Sequence, residues 1–163
     1  REKYKSECFN NVKSTVLATR PDIVIVASPT KDHFSHIKEV LDFGNPKIII
    51  CEKPLSFDHE KSKMIFDLCK NKGSKLFVNY FRRVLPGNQE ILSLIKSNRI
   101  KTPFQGVCVY SKGIYNGASH FINLFQFFFG NVKNIKILNK YNKKIDPEPD
   151  FELDFEKFSL NRN

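Results

Sequence analysis

The sequence predicts an α/β chain: a parallel sheet with its covering helices, followed by part of a second, α+β domain. Three observations carry this. Residues 22–27 and 47–51 are continuous, β-branched apolar runs without alternation, the pattern of strands buried on both faces. Apolar residues at helical spacing lie between these runs and after them, so strand and helix alternate as in βαβ units. After Pro86 the texture changes to an aromatic-rich helix followed by alternating segments.

Residues 1–20 are polar and weakly periodic, a helix leading into Pro21. The first strand runs from Asp22 to Ala27, bounded by Ser28-Pro29. Thr30 is placed to cap a helix whose face is Phe34, Ile37, Val40 and Leu41 and whose stop is Gly44. The second strand, residues 47–51, ends in Glu52-Lys53-Pro54. Ser56 is placed to cap the next helix, with Met64, Ile65, Leu68 and Cys69 as its stripe and Gly73 as its end; residues 75–79 form a third strand. Right-handed crossovers lay the helices over the sheet and leave ligands at the carboxyl ends of the strands.

The second domain is expected to open with a helix over residues 88–97 and a partly alternating strand over 105–111. A turn-rich stretch at 113–118 follows. From 119 to 129 a helix that is apolar nearly all round calls for burial between layers, and it stops at Gly130. Residues 134–138 and 151–155 alternate like strands of a half-exposed sheet.

At 163 residues with 40% hydrophobic residues, the chain holds enough apolar surface for a core. No apolar run approaches the ~20 residues of a membrane span, and no secretory signal is visible at the start. Cys8, Cys51, Cys69 and Cys108 are widely spaced, with no Cys-x-x-Cys pair and no zinc-ligand spacing. They read as reduced thiols of a cytoplasmic protein, without a metal. The net charge of +10 is uneven, because residues 146–156 carry six acidic side chains and no basic one. The positive charge elsewhere is mostly Lys scattered at helix surfaces, not Arg and aromatics gathered on one face. Nucleic acid is therefore not the expected partner.

Lys53, at the end of a buried strand, is the sharpest chemical feature: a Lys there lies where substrate and cofactor would sit, and burial tunes it toward neutrality. Taken alone, a strand-end Lys is more often solvated. His33, early in a helix, reads on its own as structural, and His36 and His59 read as surface residues. His120, at a helix start, has the intrinsic chemistry of an acid/base, although a capped helix-start His is the plainer reading.

The order of motifs resembles the Gfo/Idh/MocA oxidoreductases. Ser28-Pro29-Thr30 with His33 is similar to the family's Pro-Asn-x-x-His loop, with Thr30 in place of the Asn, and Glu52-Lys53-Pro54 is similar to its Glu-Lys-Pro. Arg83-Val84-Leu85-Pro86 is similar to the Arg-x-x-Pro that leads into the second domain. Asn116 to Asn123 is similar to Asp-x-Gly-x-His-x-x-Asp, and both Asp positions are Asn here. These matches run from about residue 21 to 130.

The resemblance implies the C-terminal part of a Rossmann-type parallel sheet over residues 1–86 and part of an α+β substrate and dimerisation domain over 87–163. It implies NAD or NADP as cofactor, with Ser28, Pro29, Thr30, His33, Glu52, Lys53, Pro54 and Arg83 on the cofactor side. Lys53, His120 and Asn116 would be the catalytic residues, Lys53 and His120 flanking the reacting sugar carbon with Lys53 polarising the hydroxyl and His120 acting as main acid/base, and all three would bind the substrate together with Asn123. Tyr110 to Ile114 is similar to members that act on nucleotide-linked sugars in surface polysaccharide pathways. Family members begin with a Gly-x-Gly-x-x-Gly turn, a spacing that none of the seven glycines here shows. The expectation is thus a fragment or truncation lacking the amino-terminal dinucleotide-binding segment, and inactive by itself. An amide cannot share a proton as a carboxylate does, so the competing expectation is a non-catalytic carbohydrate-binding or assembly protein on the same fold.

Overall fold

The structure, a computed structural model, describes residues 6–101, 105–139 and 146–156. It divides into two compact units, Arg1–Asn79 and Tyr80–Asn163.

In the first unit, helix α1 (Val12–Thr19) is shorter than the segment expected over residues 1–20, whose first five lie outside the described residues. Asn11 sets its start, its side chain accepting the Ser14 N–H at 2.7 Å. Strand β1 (Ile23–Val26), a 3-10 turn (Thr30–Asp32), α2 (His33–Phe43), β2 (Ile48–Cys51), α3 (His59–Asn71) and β3 (Lys75–Val78) follow. The strands form one parallel sheet in the order β1-β2-β3, with Ile23 opposite Ile48 and Ile48 opposite Lys75.

Three local expectations change. Thr30 begins the 3-10 turn instead of capping α2 with its side chain. Helix α3 is capped by Asp58, which accepts the N–H groups of Glu60 and Lys61 at 2.8 and 3.3 Å, while Ser56 accepts the Asp58 N–H. Gly44 ends α2 in extended backbone, not in the left-handed region. Its lack of a side chain serves packing, because a Cβ there would overlap the Val16 methyl group.

Val26, Ile49 and Cys51 point to one face of the sheet and join Val16, Ile37, Val40, Leu41, Ile65 and Cys69 in the core. The alternate residues point the other way, and Ile23, Ile25 and Phe77 are 55%, 68% and 53% exposed. The expectation of strands buried on both faces is corrected here. Successive right-handed crossovers through α2 and α3 place both helices on the same side, and among the described residues nothing covers the other.

The second unit opens with a 3-10 turn (Phe81–Val84) and α4 (Pro86–Lys96), with Pro86 at the helix start where its missing N–H costs nothing. No strand forms over 105–111: Val107 and Val109 are 96% and 87% exposed. A strand persists only by pairing, and β4 (Val132–Ile137) and β5 (Phe151–Phe155) pair antiparallel with each other. The stretch expected to be turns holds a π-helical turn (Ile114–Ala118) that runs directly into α5 (Ser119–Phe129). No residue of α5 is exposed, in keeping with its apolar circumference. Leu124 and Phe128 pack with Leu92 and Ile95 of α4, and Phe155 of β5 meets Phe125 and Phe129 edge-on. No helix among the described residues is long and apolar enough to cross a membrane.

Candidate functional site

In the first unit the loops leaving β1 and β2 are tied together by one side chain. His33 is 1% exposed. Its Nε2 lies 2.9 Å from the Ser28 carbonyl, and its Nδ1 lies 3.1 and 3.2 Å from the carbonyls of Pro54 and Leu55. The ring therefore faces inward onto backbone, and its contacts are those of a loop clamp. The Ser28 hydroxyl pairs with His36 Nδ1 at 2.9 Å, so His36 is part of the same cluster and not merely a surface residue. His59 is exposed.

On β2's carboxyl end, the Glu52 carboxylate accepts the side-chain amide of Asn79 at 2.6 Å. That contact fixes the loop after β2 to the end of β3. Lys53 is half-buried between this pair and the buried Pro54, and the Lys53–Pro54 bond is cis. Ser28, Thr30, Glu52 and Lys53 thus lie together at the strand ends, half-buried, with Pro29 exposed beside them.

The second unit holds Arg83, Asn116, His120 and Asn123. Arg83 donates from Nε to the Asn123 side-chain carbonyl at 2.6 Å and from Nη2 to the Asn123 backbone carbonyl at 3.1 Å, and it lies over the Phe127 ring. Its hydrogen bonds hold the 3-10 turn against α5. His120 is half-buried, with the rings of Tyr80 and Phe81 each edge-on at 6.1 Å. Asn116 is exposed, and its backbone N–H donates to Asp146.

Sequence reasoning missed Asp146 and Glu148. The Asp146 carboxylate accepts the N–H groups of Tyr115 and Asn116 at 2.7 and 3.1 Å, and Glu148 accepts that of Gly113 at 3.0 Å. These acids satisfy the open donors at the start of the helical run that carries His120. The only trace of them in sequence is an acidic stretch with no basic counterpart. A shallow, open hollow of about 300 Å3 lies in the same unit, lined by Tyr80, Tyr115, Ser119, Ile122, Asn123 and Gln126. No group of three or more His, Cys, Asp or Glu among the described residues is arranged to hold a metal ion.

The first unit, a parallel sheet with polar residues gathered at its strand ends, has the architecture of a dinucleotide-binding domain. Residues 1–80 match the Gfo/Idh/MocA oxidoreductase family, NAD-binding Rossmann fold. The chain is 31% identical over 94 residues to inositol 2-dehydrogenase of Corynebacterium glutamicum, covering 56% of this chain and 27% of that protein. It is 28% identical over 91 residues to D-glucoside 3-dehydrogenase of Escherichia coli, covering 55% and 25%. Its fold is like that of an oxidoreductase from Thermotoga maritima, with a TM-score of 0.72 at 19% identity over 95% of this chain and 58% of that one. The matched region spans about a quarter of the length of these curated relatives.

The residues at the strand ends fit one part of a nicotinamide cofactor. A Lys ammonium and two hydroxyls suit a ribose and its neighbouring carboxamide. The backbone cradle that takes a pyrophosphate, a Gly-x-Gly-x-x-Gly turn opening a helix, has no counterpart in the sequence.

Proposed function

We propose that this chain supplies the strand-end side of an NAD(P) site and the acid/base residues of a dehydrogenase acting on a sugar or nucleotide-linked sugar. The observation that carries the reading is Lys53, half-buried at the carboxyl end of the middle strand of a sheet that matches an NAD-binding family. The names of the relatives, an inositol and a glucoside dehydrogenase, support a polyol or sugar as substrate.

The cofactor, when bound, takes up or returns a hydride. Lys53 donates a hydrogen bond to the substrate hydroxyl oxygen and favours its partial negative charge as the proton leaves. His120 takes that proton in oxidation and returns it in reduction. Asn116 and Asn123, neutral amides, orient hydroxyl groups without exchanging protons. Glu52, held by Asn79, keeps the Lys53 loop in place. Self-association through the exposed face of β4–β5, where Ile135 and Ile137 stand in water, belongs to the same reading.

The test is kinetic and uses the intact protein. His120→Ala and Lys53→Met are each expected to lower kcat by roughly a hundredfold, and His120→Ala to leave NAD(H) affinity nearly unchanged. Normal turnover in both variants would overturn the reading. Asn123 favours a second one: its side-chain carbonyl is taken by Arg83, where the family pattern has a carboxylate. On that reading the protein binds sugar without turnover, and the intact protein would show sugar binding by calorimetry but no NAD(H)-linked activity with any polyol.

A further inference from the structure

The imidazole of His120 is bracketed by two rings from one short segment. Tyr80 stands edge-on to it at 6.1 Å and 87°, and Phe81 at 6.1 Å and 72°. Centroid distances in this range and near-perpendicular planes are those of favourable aromatic pairs. The two rings differ in how they are held. Phe81 is 48% exposed, with the Arg82 guanidinium 6.0 Å from its centroid. Tyr80 is half-buried. The backbone that presents His120 is itself held, because the hydroxyl of Ser119, the residue immediately before it, donates to the Tyr115 carbonyl at 2.5 Å in the π-helical turn that precedes α5. The Tyr80 ring stands against an imidazole whose backbone is fixed in this way.

We infer that Tyr80 is the positioning residue of His120, its ring limiting the rotation of the imidazole about the side-chain bonds. The role rests on the reading of His120 as the acid/base. Burial pushes the Tyr80 phenol upward, so the ring itself brings no charge to the imidazole. A half-buried His at a helix start otherwise samples several staggered rotamers, and only one of them aims a given nitrogen at a substrate hydroxyl. Misplacing a proton-transfer group lowers the rate of the chemical step more than it lowers substrate affinity.

The experiment has a spectroscopic arm and a kinetic arm. The chain has only four His residues, so His120→Gln assigns the His120 imidazole signals in the proton–nitrogen spectrum of the chain. Tyr80→Leu is expected to move those signals by loss of the ring current and to leave the signals of His33, His36 and His59 in place. Tyr80→Phe, which keeps the ring, is expected to move them less. In the intact protein, Tyr80→Leu is expected to lower kcat about tenfold with KM within about twofold, and Tyr80→Phe to restore most of the loss. His120 signals in Tyr80→Leu that superimpose on those of the unaltered chain would overturn the inference. So would equal losses from Tyr80→Leu and Tyr80→Phe, which would assign the effect to the hydroxyl. A His120→Ala protein that turns over normally defeats the acid/base reading instead, and the spectroscopic arm tells the two failures apart.

Discussion

His33 joins two loops that are far apart in the chain: its Nε2 sits 2.9 Å from the Ser28 carbonyl and its Nδ1 3.1 Å from the Pro54 carbonyl. Both loops carry residues of the candidate site, so the ring sets the distance between Ser28 and the Lys53 segment.

His33→Ala leaves a cavity and strips partners from buried carbonyls at once. The expected loss of stability is about 2–4 kcal/mol, read from urea unfolding of the chain. His36→Ala, which removes a partly exposed contact with a hydroxyl, is expected to cost about 1 kcal/mol or less.

Burial pushes the Cys51 thiol up to about 12, with Glu52 and Cys69 adding to the shift, and burial raises the Cys69 thiol as well. The thiolate is the reactive form, so both should resist a thiol reagent in the folded chain at pH 8. Cys8 and Cys108 are exposed and should react first, the other two only after denaturant is added. The same shift has a consequence for stability. In the unfolded chain these thiols ionise near 9 while the folded core keeps Cys51 protonated, so the unfolded state binds fewer protons as pH rises. Stability is therefore complete below about pH 9 and declines from there toward pH 12, measurable as a falling urea midpoint.

Arg83 and Asn123 offer a test of charge. Asn123→Asp turns a charge-assisted hydrogen bond into a partly buried ion pair with the same geometry. A gain of roughly 0.5–1 kcal/mol is expected, and it should shrink in high salt. Arg83→Ala should cost more than Asn123→Asp gains, because it removes both hydrogen bonds and the contact with Phe127.

The acids at the start of the π-helical turn have a separable effect. Asp146→Ala is expected to cost about 1 kcal/mol by freeing the Tyr115 and Asn116 donors. Gly113→Ala is worse on two counts: its φ is +81°, and a Cβ there would overlap the Asp146 carboxyl group. A loss of about 2 kcal/mol or more is expected, and pairing it with Asp146→Gly should recover the steric part.

Local signals in the sequence were good guides wherever structure is local. The β-branched runs became β1 and β2, and the aromatic run became α5; of the stripe expected on α3, Ile65, Leu68 and Cys69 face the core while Met64 is 50% exposed. The helix starts were less legible, because Ser56 and Asp58 are both good caps and only the backbone path decides between them. Long-range pairing was not legible. Nothing near Gly113 announces that Asp146 will satisfy its neighbours, and the alternation of residues 105–111 does not say whether an open strand edge is available. At the site, the Gln-free polar cluster of Glu52 and Asn79 depends on two strands lying side by side, which only the sheet register reveals.

The bare face of the β1-β2-β3 sheet governs how this chain behaves in a test tube. Ile23, Ile25 and Phe77 form an exposed apolar patch beside strand edges that pair with nothing among the described residues, the kind of surface that recruits chaperones and seeds precipitation. A fluorescent hydrophobic dye should light up on the folded chain without denaturant. Ile25→Lys, placed on that face and away from the core, should quench the signal and raise the yield of soluble protein while leaving the secondary structure unchanged.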